Sequence, residues 1–212
     1  LQDIAQELTA VRRFDIIIDF ASGLPTQDHI HTAVPPGTTV IYSDYDPVVV
    51  EYAREILGDA PNVYFFEAEA GRPEELLHRP DVEEILGGRR DVAIVYWGIS
   101  GFITDEELAH AAQVLYEWSG PNSCWAFNAQ GADANPDHPS MKDALHIYDR
   151  MGTPGYVRTK EGYLELVKPW RSDPKGLTSL LDWHGIEETE LQQEDRDAFG
   201  PTGAGYGVFL TK

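Results

Sequence analysis

The chain has 212 residues with 36 Asp and Glu against 16 Lys and Arg, a formal net charge of −20 at pH 7. A surface this acidic repels phosphate backbones and anionic headgroups, which makes nucleic acid and membranes poor partners and leaves small molecules or neutral and basic ones. The length suits one domain, residues 1–212, and the lone cysteine, Cys124, excludes an intrachain disulfide and points to a reducing, cytoplasmic setting.

Leu1 to Arg13 spaces Ile4, Leu8 and Val11 as a helix does and lacks the pattern of a signal peptide. The chain starts without methionine, so residues upstream are expected. No apolar run approaches the ~18 residues of a membrane span. Asp15–Phe20 is an apolar, β-branched run and reads as a buried strand. Thr26–Val34 follows as a short helix, stopped by Pro35-Pro36-Gly37. Thr38–Ser43 is the second strand. Pro47–Leu57 is a helix with Asp46 as N-cap, Pro47 at its first position and Gly58 at its end. Val63–Ala68 is the third strand, and Pro73–Leu86 a helix ending in two glycines. Asp91–Trp97 is the fourth strand. Asp105–Trp118 is a helix opened by a capping box of Thr104 and Glu107. Ser123–Asn128 is the fifth strand.

Strands alternating with helices over short connections predict a parallel sheet covered on both faces. After Gln130 the rhythm changes. Asp137–Met151 reads as a helix, and residues 152–176 as an irregular, proline- and aromatic-rich insertion on the substrate side. Leu177–Trp183 is a short helix before Gly185. Glu187–Gln193 and Tyr206–Thr211 read as a late antiparallel pair joined by a long loop across Asp197–Gly205. The expected fold is α/β and Rossmann-like: a mostly parallel, seven-stranded sheet with a C-terminal antiparallel hairpin.

In such sheets ligands bind at the carboxyl ends of the strands. The first strand ends in Asp19-Phe20-Ala21-Ser22-Gly23 and runs on into Leu24-Pro25-Thr26. A pyrophosphate needs bare backbone donors at a glycine-rich turn. Here only Gly23 stands in that pattern, and Pro25 removes a donor. A nucleoside ligand without phosphate fits better. The second strand ends in Ser43-Asp44-Tyr45-Asp46, about 20 residues after the turn, where an acid suits a ribose. With Asp46 spent on the cap, Asp44 is the residue free for ligand, and Tyr45 can lie against a base. Glu69 and Ala70 follow the third strand. Tyr96 and Trp97 end the fourth, beside Gly98 and Gly101, and suggest a cavity wall. His29 and His31 would point to opposite sides of a helix, and no ligand cluster surrounds them, so no metal site is expected. Cys124 lies in an apolar strand and reads as a structural thiol.

"DFASGLPT", the following His31, and "VIYSDYDPVVVEYAREIL" together resemble a bacterial S-adenosylmethionine-dependent methyltransferase family. That family carries D-I-G-S-G-L-P-T, a nearby N-x-H and V-Y-V-D-N-D-P-V-V. The match is close from Ile16 to Leu57 and looser beyond. The resemblance implies a class I fold using S-adenosylmethionine, with S-adenosylhomocysteine as product. It places Asp19, Ala21 and Gly23 on the methionine side, with Ser22 in the same turn. It places Asp44 at the ribose, Tyr45 at the adenine, and Glu69 and Ala70 at the adenine edge; Trp97 completes the cofactor set. Three departures stand out: Ala21 replaces the first glycine, His29 replaces Asn, and the usual upstream segment is short or missing.

Methyl transfer needs alignment more than a dedicated base, so no catalytic motif is required. Tyr96, His146 and Tyr148 are the candidates for a base. The acceptor is expected to be an uncharged or basic small molecule, and the sequence leaves monomer and homodimer open. Two other readings remain at this stage. One is a scaffold protein on a methyltransferase fold. The other is an NAD-dependent oxidoreductase, against which the missing glycines speak.

Overall fold

The computed structural model describes residues 1–199, 202–203 and 205–212. Strands β1 (Ile16–Phe20), β2 (Thr39–Asp44), β3 (Val63–Glu67), β4 (Ala93–Tyr96) and β5 (Cys124–Gln130) are parallel; β6 (Arg171–Ser172) and β7 (Thr178–Ser179) are short, and β8 (Gly205–Thr211) runs antiparallel beside β5. The order is β3-β2-β1-β4-β5-β8-β6, with β7 also paired to β8.

Period-two alternation divides the strand side chains into two cores. Ile16, Ile18 and Phe20 of β1, Ile94 and Tyr96 of β4, and Trp125 and Phe127 of β5 face one side. Ile17, Val40, Tyr42, Val95 and Ala126 face the other. Both faces are covered, which is why these strands are apolar throughout.

Helices α1 (Gln2–Gln6), α2 (Ile30–Ala33) and α3 (Pro47–Leu57) lie on the second face, where α1 runs into a π-helical turn at Glu7–Val11. Helices α4 (Glu74–Leu77), α5 (Pro80–Leu86) and α6 (Asp105–Trp118) cover the first face. After β5 come α7 (Pro139–Arg150), α8 (Lys160–Leu166), α9 (Leu180–His184) and α10 (Gln193–Phe199).

The two expected caps are present. Asp46 accepts from the Val48 N–H at the start of α3, and Thr104 and Glu107 form a reciprocal capping box on α6. Other boundaries differ for local reasons. The helix expected over Pro73–Leu86 is two helices, because Pro80 has no N–H to donate and holds Arg79 extended, at φ −67° and ψ 134°. The helix expected from Thr26 is only the single turn α2.

The sheet has eight strands rather than seven. Its antiparallel end is there, but Glu187–Gln193 is not a strand. It holds a 3-10 turn, Glu188–Glu190, and Gln193 begins α10. That stretch is acidic and polar and offers no apolar face to bury against a sheet. The partners of β8 are instead β5, β6 and β7. Of the expected hairpin loop, Asp197–Phe199 belongs to α10, while Gly200, Pro201 and Ala204 lie outside the described residues.

Residues 152–176 are more ordered than their composition suggests. They contain α8 and β6, and Tyr163, Val167 and Trp170 enter the first-face core. The Trp170 indole N–H donates to the Ala112 carbonyl at 2.9 Å, which pins the segment to α6.

On the opposite face, Trp97 and Trp183 stack with ring centres 5.2 Å apart. They close over Gly207 so tightly that a Cβ there would stand 2.5 Å from the Trp183 ring and 2.7 Å from the Trp97 ring. Gly207→Ala is therefore expected to destabilise the protein by about 1–3 kcal/mol, measured as a lower urea midpoint. An unchanged midpoint would mean that the two rings yield freely.

Candidate active site

The turn after β1 is built from two left-handed residues, Ala21 at φ 52° and Gly23 at φ 64°. Two of its backbone donors are already used. The Ser22 N–H donates to the Ser43 carbonyl at 2.9 Å, and the Gly23 N–H to Asp44 Oδ2 at 3.0 Å. The other Asp44 oxygen accepts from the Asp46 N–H at 3.1 Å. Asp44 is thus not wholly free, as the sequence suggested. It is only 8% exposed and ties the β1 turn to the start of α3. A carboxylate has about four lone-pair sites, so two remain for a ligand. His29 adds a bond from Nε2 to the Ser22 carbonyl at 2.9 Å.

His29 and His31 do not diverge as a helical spacing would have them. His29 is the extended N-cap of α2, and both imidazoles pack on Tyr42, with ring centres 5.9 and 5.8 Å away. Among the described residues, no three His, Cys, Asp or Glu side chains gather in a metal-binding group.

Beside the turn lies a cleft of about 370 Å³. Ala21, Tyr45, Glu69 and Ala70 form one wall, as their positions at three strand ends dictate. Ile99, Phe102 and Ile103, from the β4–α6 loop, form the second. Tyr148 and Gly152–Pro154 form the third. Two carboxylates, Glu69 and Glu107, line it among the described residues, and no Lys or Arg does. Such a lining favours a ligand that carries positive charge and no phosphate.

Asp19, Ser22, Gly23, Asp44 and Trp97 lie outside this lining. Trp97 packs on Trp183 instead. Asp19 is buried on the Tyr42 side of the sheet, with Oδ2 lacking a hydrogen-bond partner. Burial holds its carboxyl well above the usual carboxylate range.

Of the base candidates, Tyr96 is a core residue. Its ring is wholly buried, its hydroxyl donates to the Ala70 carbonyl at 2.6 Å, and burial raises its pKa far above the ordinary phenol value. It supports the cleft from below and cannot meet a substrate. His146 is exposed on α7 away from the lining. Tyr148 alone faces the cleft.

Two residues of the site escaped sequence reasoning. Arg158 donates to the Ser100 carbonyl at 2.8 Å, the Ile103 carbonyl at 2.6 Å and Asp105 at 2.7 Å, fixing the β4–α6 loop. Gln130 ends β5 with its backbone held on both sides, by Ser100 Oγ at 3.1 Å and the Tyr163 hydroxyl at 2.7 Å. Neither position has a periodicity or spacing that marks it in a single sequence.

The sequence matches the S-adenosyl methyltransferase family over residues 2–206. The chain belongs to that family. It is an S-adenosylmethionine-dependent methyltransferase of the Rossmann-like class I fold. A protein of Thermobifida fusca YX described as a methyltransferase superposes with a TM-score of 0.81 at 22% identity, over 100% of this chain and 78% of that one. A DUF574 family protein of Streptomyces avermitilis gives 0.78 at 21%, over 100% and 80%. Human N-acetylserotonin methyltransferase, solved in complex with SAM, gives 0.57 at 14%, over 99% and 50%. No curated protein matches the sequence. In this methyltransferase the Ser22 and Gly23 N–H groups of the β1 turn are consumed internally, and S-adenosylmethionine has no phosphate to claim them.

Two outcomes are expected of this geometry. Asp19 titrates near pH 4 in the unfolded chain but stays protonated above that in the folded one. The folded state then binds the extra proton, so this residue's contribution is full below about pH 4 and declines as pH rises. The stability of Asp19→Asn relative to the unmutated chain should therefore increase from pH 4 to pH 8 in urea titrations; a flat difference would show Asp19 ionised. Ala21→Gly relieves a left-handed residue worth roughly 1–2 kcal/mol but adds about 0.4–1 kcal/mol of chain entropy. Its melting temperature should stay level or rise by up to about 6 °C. A clear fall would mean that the alanine methyl packs productively.

Proposed function

We propose that the cleft holds the adenosine part of S-adenosylmethionine and that the methyl acceptor is a small molecule bound beside it. The observation that carries this is the β1 turn: with Ser22 N–H on Ser43 and Gly23 N–H on Asp44, two donors that a pyrophosphate cradle would use are taken. The same fact speaks against the oxidoreductase reading.

The roles follow from position. The two uncommitted lone pairs of Asp44 would accept from the ribose hydroxyls. Tyr45, half exposed at the rim, would lie on the adenine face, and Glu69 with Ala70 would meet its amino edge. Ala21, Ser22 and Gly23 would border the methionine chain, with Asp19 behind them. Trp97 is left out of this set, because its ring is committed to Trp183 and Gly207.

The cofactor, when bound, supplies a methyl group activated on a positively charged sulfur. The chain's part is to align the acceptor in line with that group and to exclude water, effects worth on the order of 7–11 kcal/mol where the geometry is good. Glu69 and Glu107 favour a cation in the cleft. Tyr148 is the one base candidate whose ring borders the cleft, and an acceptor already nucleophilic would need none. Residues 1–212 act as one domain, with 152–176 as its substrate-side insertion. The buried, unpaired Cys124 supports a reducing, cytoplasmic setting.

The test is calorimetric. S-adenosylhomocysteine should bind the chain saturably, NAD should not, and Asp44→Asn should lose at least about tenfold in affinity while keeping its circular dichroism. NAD binding in preference to S-adenosylhomocysteine would overturn the assignment. So would full affinity in Asp44→Asn.

A further inference from the structure

A second cavity, of about 170 Å³, adjoins the cleft and shares Phe102 and Tyr148 with it. These two rings meet edge to face at 4.9 Å and border both spaces. The inner face of α7 supplies Met141, Ala144, Leu145 and Tyr148, at helical spacing. Opposite lie Gly101, Gln130 and Val157. The Tyr156 N–H donates to the Gly101 carbonyl at 2.7 Å and ties the far wall to the β4–α6 loop.

The lining contains no charged side chain among the described residues. Its polar interior feature is Gln130. The backbone of Gln130 is bonded on both sides, and its side-chain Oε1 is buried with no hydrogen-bond partner. A Cβ at Gly101 would come within 3.3 Å of that oxygen, so a larger residue there would crowd it. A buried carbonyl without a donor is costly, and a bound molecule that donates to it removes the cost. The volume is that of a single ring: an apolar cavity of about 150 Å³ holds benzene.

Building on the methyltransferase reading of the neighbouring cleft, we infer that this cavity is the acceptor subsite, selective for an uncharged, one-ring compound whose hydroxyl or N–H donates to Gln130. The absence of carboxylates from its lining removes the counter-charge a basic acceptor would need, despite the acidity of the chain as a whole. Phe102 and Tyr148 are the rings across which the acceptor faces the cofactor cleft, and Gln130 is its specificity residue.

Phenol, toluene and benzoate serve as probes, titrated into the full chain with and without S-adenosylhomocysteine. Phenol should bind about tenfold more tightly than toluene, and benzoate should not bind. Gln130→Leu should erase the preference for phenol while keeping toluene. Ala144→Phe, which fills the cavity from α7, should abolish ring binding and leave the affinity for S-adenosylhomocysteine unchanged. If Ala144→Phe fails to fold, Gln130→Leu decides alone. Benzoate binding as well as phenol, no ring binding at all, or a phenol preference that survives Gln130→Leu would each overturn the subsite. Because the rings are also titrated without S-adenosylhomocysteine, failure of that ligand to bind would count against the cofactor assignment only, and the ring titrations would still decide the subsite.

Discussion

The Asp44 carboxylate holds the carboxyl end of the parallel strands together around the β1 turn. One oxygen takes the Gly23 N–H and the other the Asp46 N–H. A single side chain at the end of β2 thereby sets the turn after β1 and the start of α3. The link also explains the chemistry of the turn. Glycine-rich nucleotide loops leave their donors open to an anion; here the donors are turned inward onto a carboxylate. An anionic ligand would compete with Asp44 and be repelled by it, while a nucleoside with free hydroxyls meets an acceptor already fixed in place.

The electrostatic character of the site continues that logic outward. The cleft is bordered by Glu69 and Glu107, without a lysine or arginine among the described residues of its lining. Glu107 also completes the capping box of α6, and Glu69 is paired with Arg72, whose side chain is half exposed. The neighbouring cavity has no charge in its described lining at all. Two adjoining spaces thus differ in what they tolerate: one suits a cation, the other a neutral ring. On the reading proposed above, that contrast would favour a cationic donor in one space and a neutral acceptor beside it.

The sequence made the parallel half legible because its signals are strong and local. Alternating burial, an Asp46–Pro47 helix start and a Thr104–Glu107 capping box are dictated by near neighbours. The strand ends at the carboxyl edge followed from the fold, and Ala21, Tyr45, Glu69 and Ala70 there line the cleft. What failed depended on distant partners. Glu187–Gln193 alternates, but a strand needs a sheet edge with a face to bury, and the edge was taken by β6 and β7. Tyr96 looked like a cavity wall because strand position says nothing about which core a ring enters. Asp44 looked free because its bond from the Gly23 N–H comes from the turn after β1; the bond from the Asp46 N–H is local.

Arg158 shows why the late segment belongs to the site rather than to the surface. Its side chain is 7% exposed, yet it spends its donors on Asp105 and on the Ser100 and Ile103 carbonyls, and stacks on Tyr156 and Tyr163. Those carbonyls sit in the loop that walls both cavities. A planar, five-donor guanidinium can satisfy several such groups at once, which a lysine cannot. Burying that charge is favourable only because every partner is fixed. The loop, Gln130 and residues 155–157 therefore hold their places as a unit: Ser100 bonds Gln130, Tyr163 bonds Gln130, and Arg158 bonds Ser100 and packs on Tyr163. A shift in any one would move the loop that borders both cavities, so the shape of the two spaces is set by this linked group rather than by any single residue.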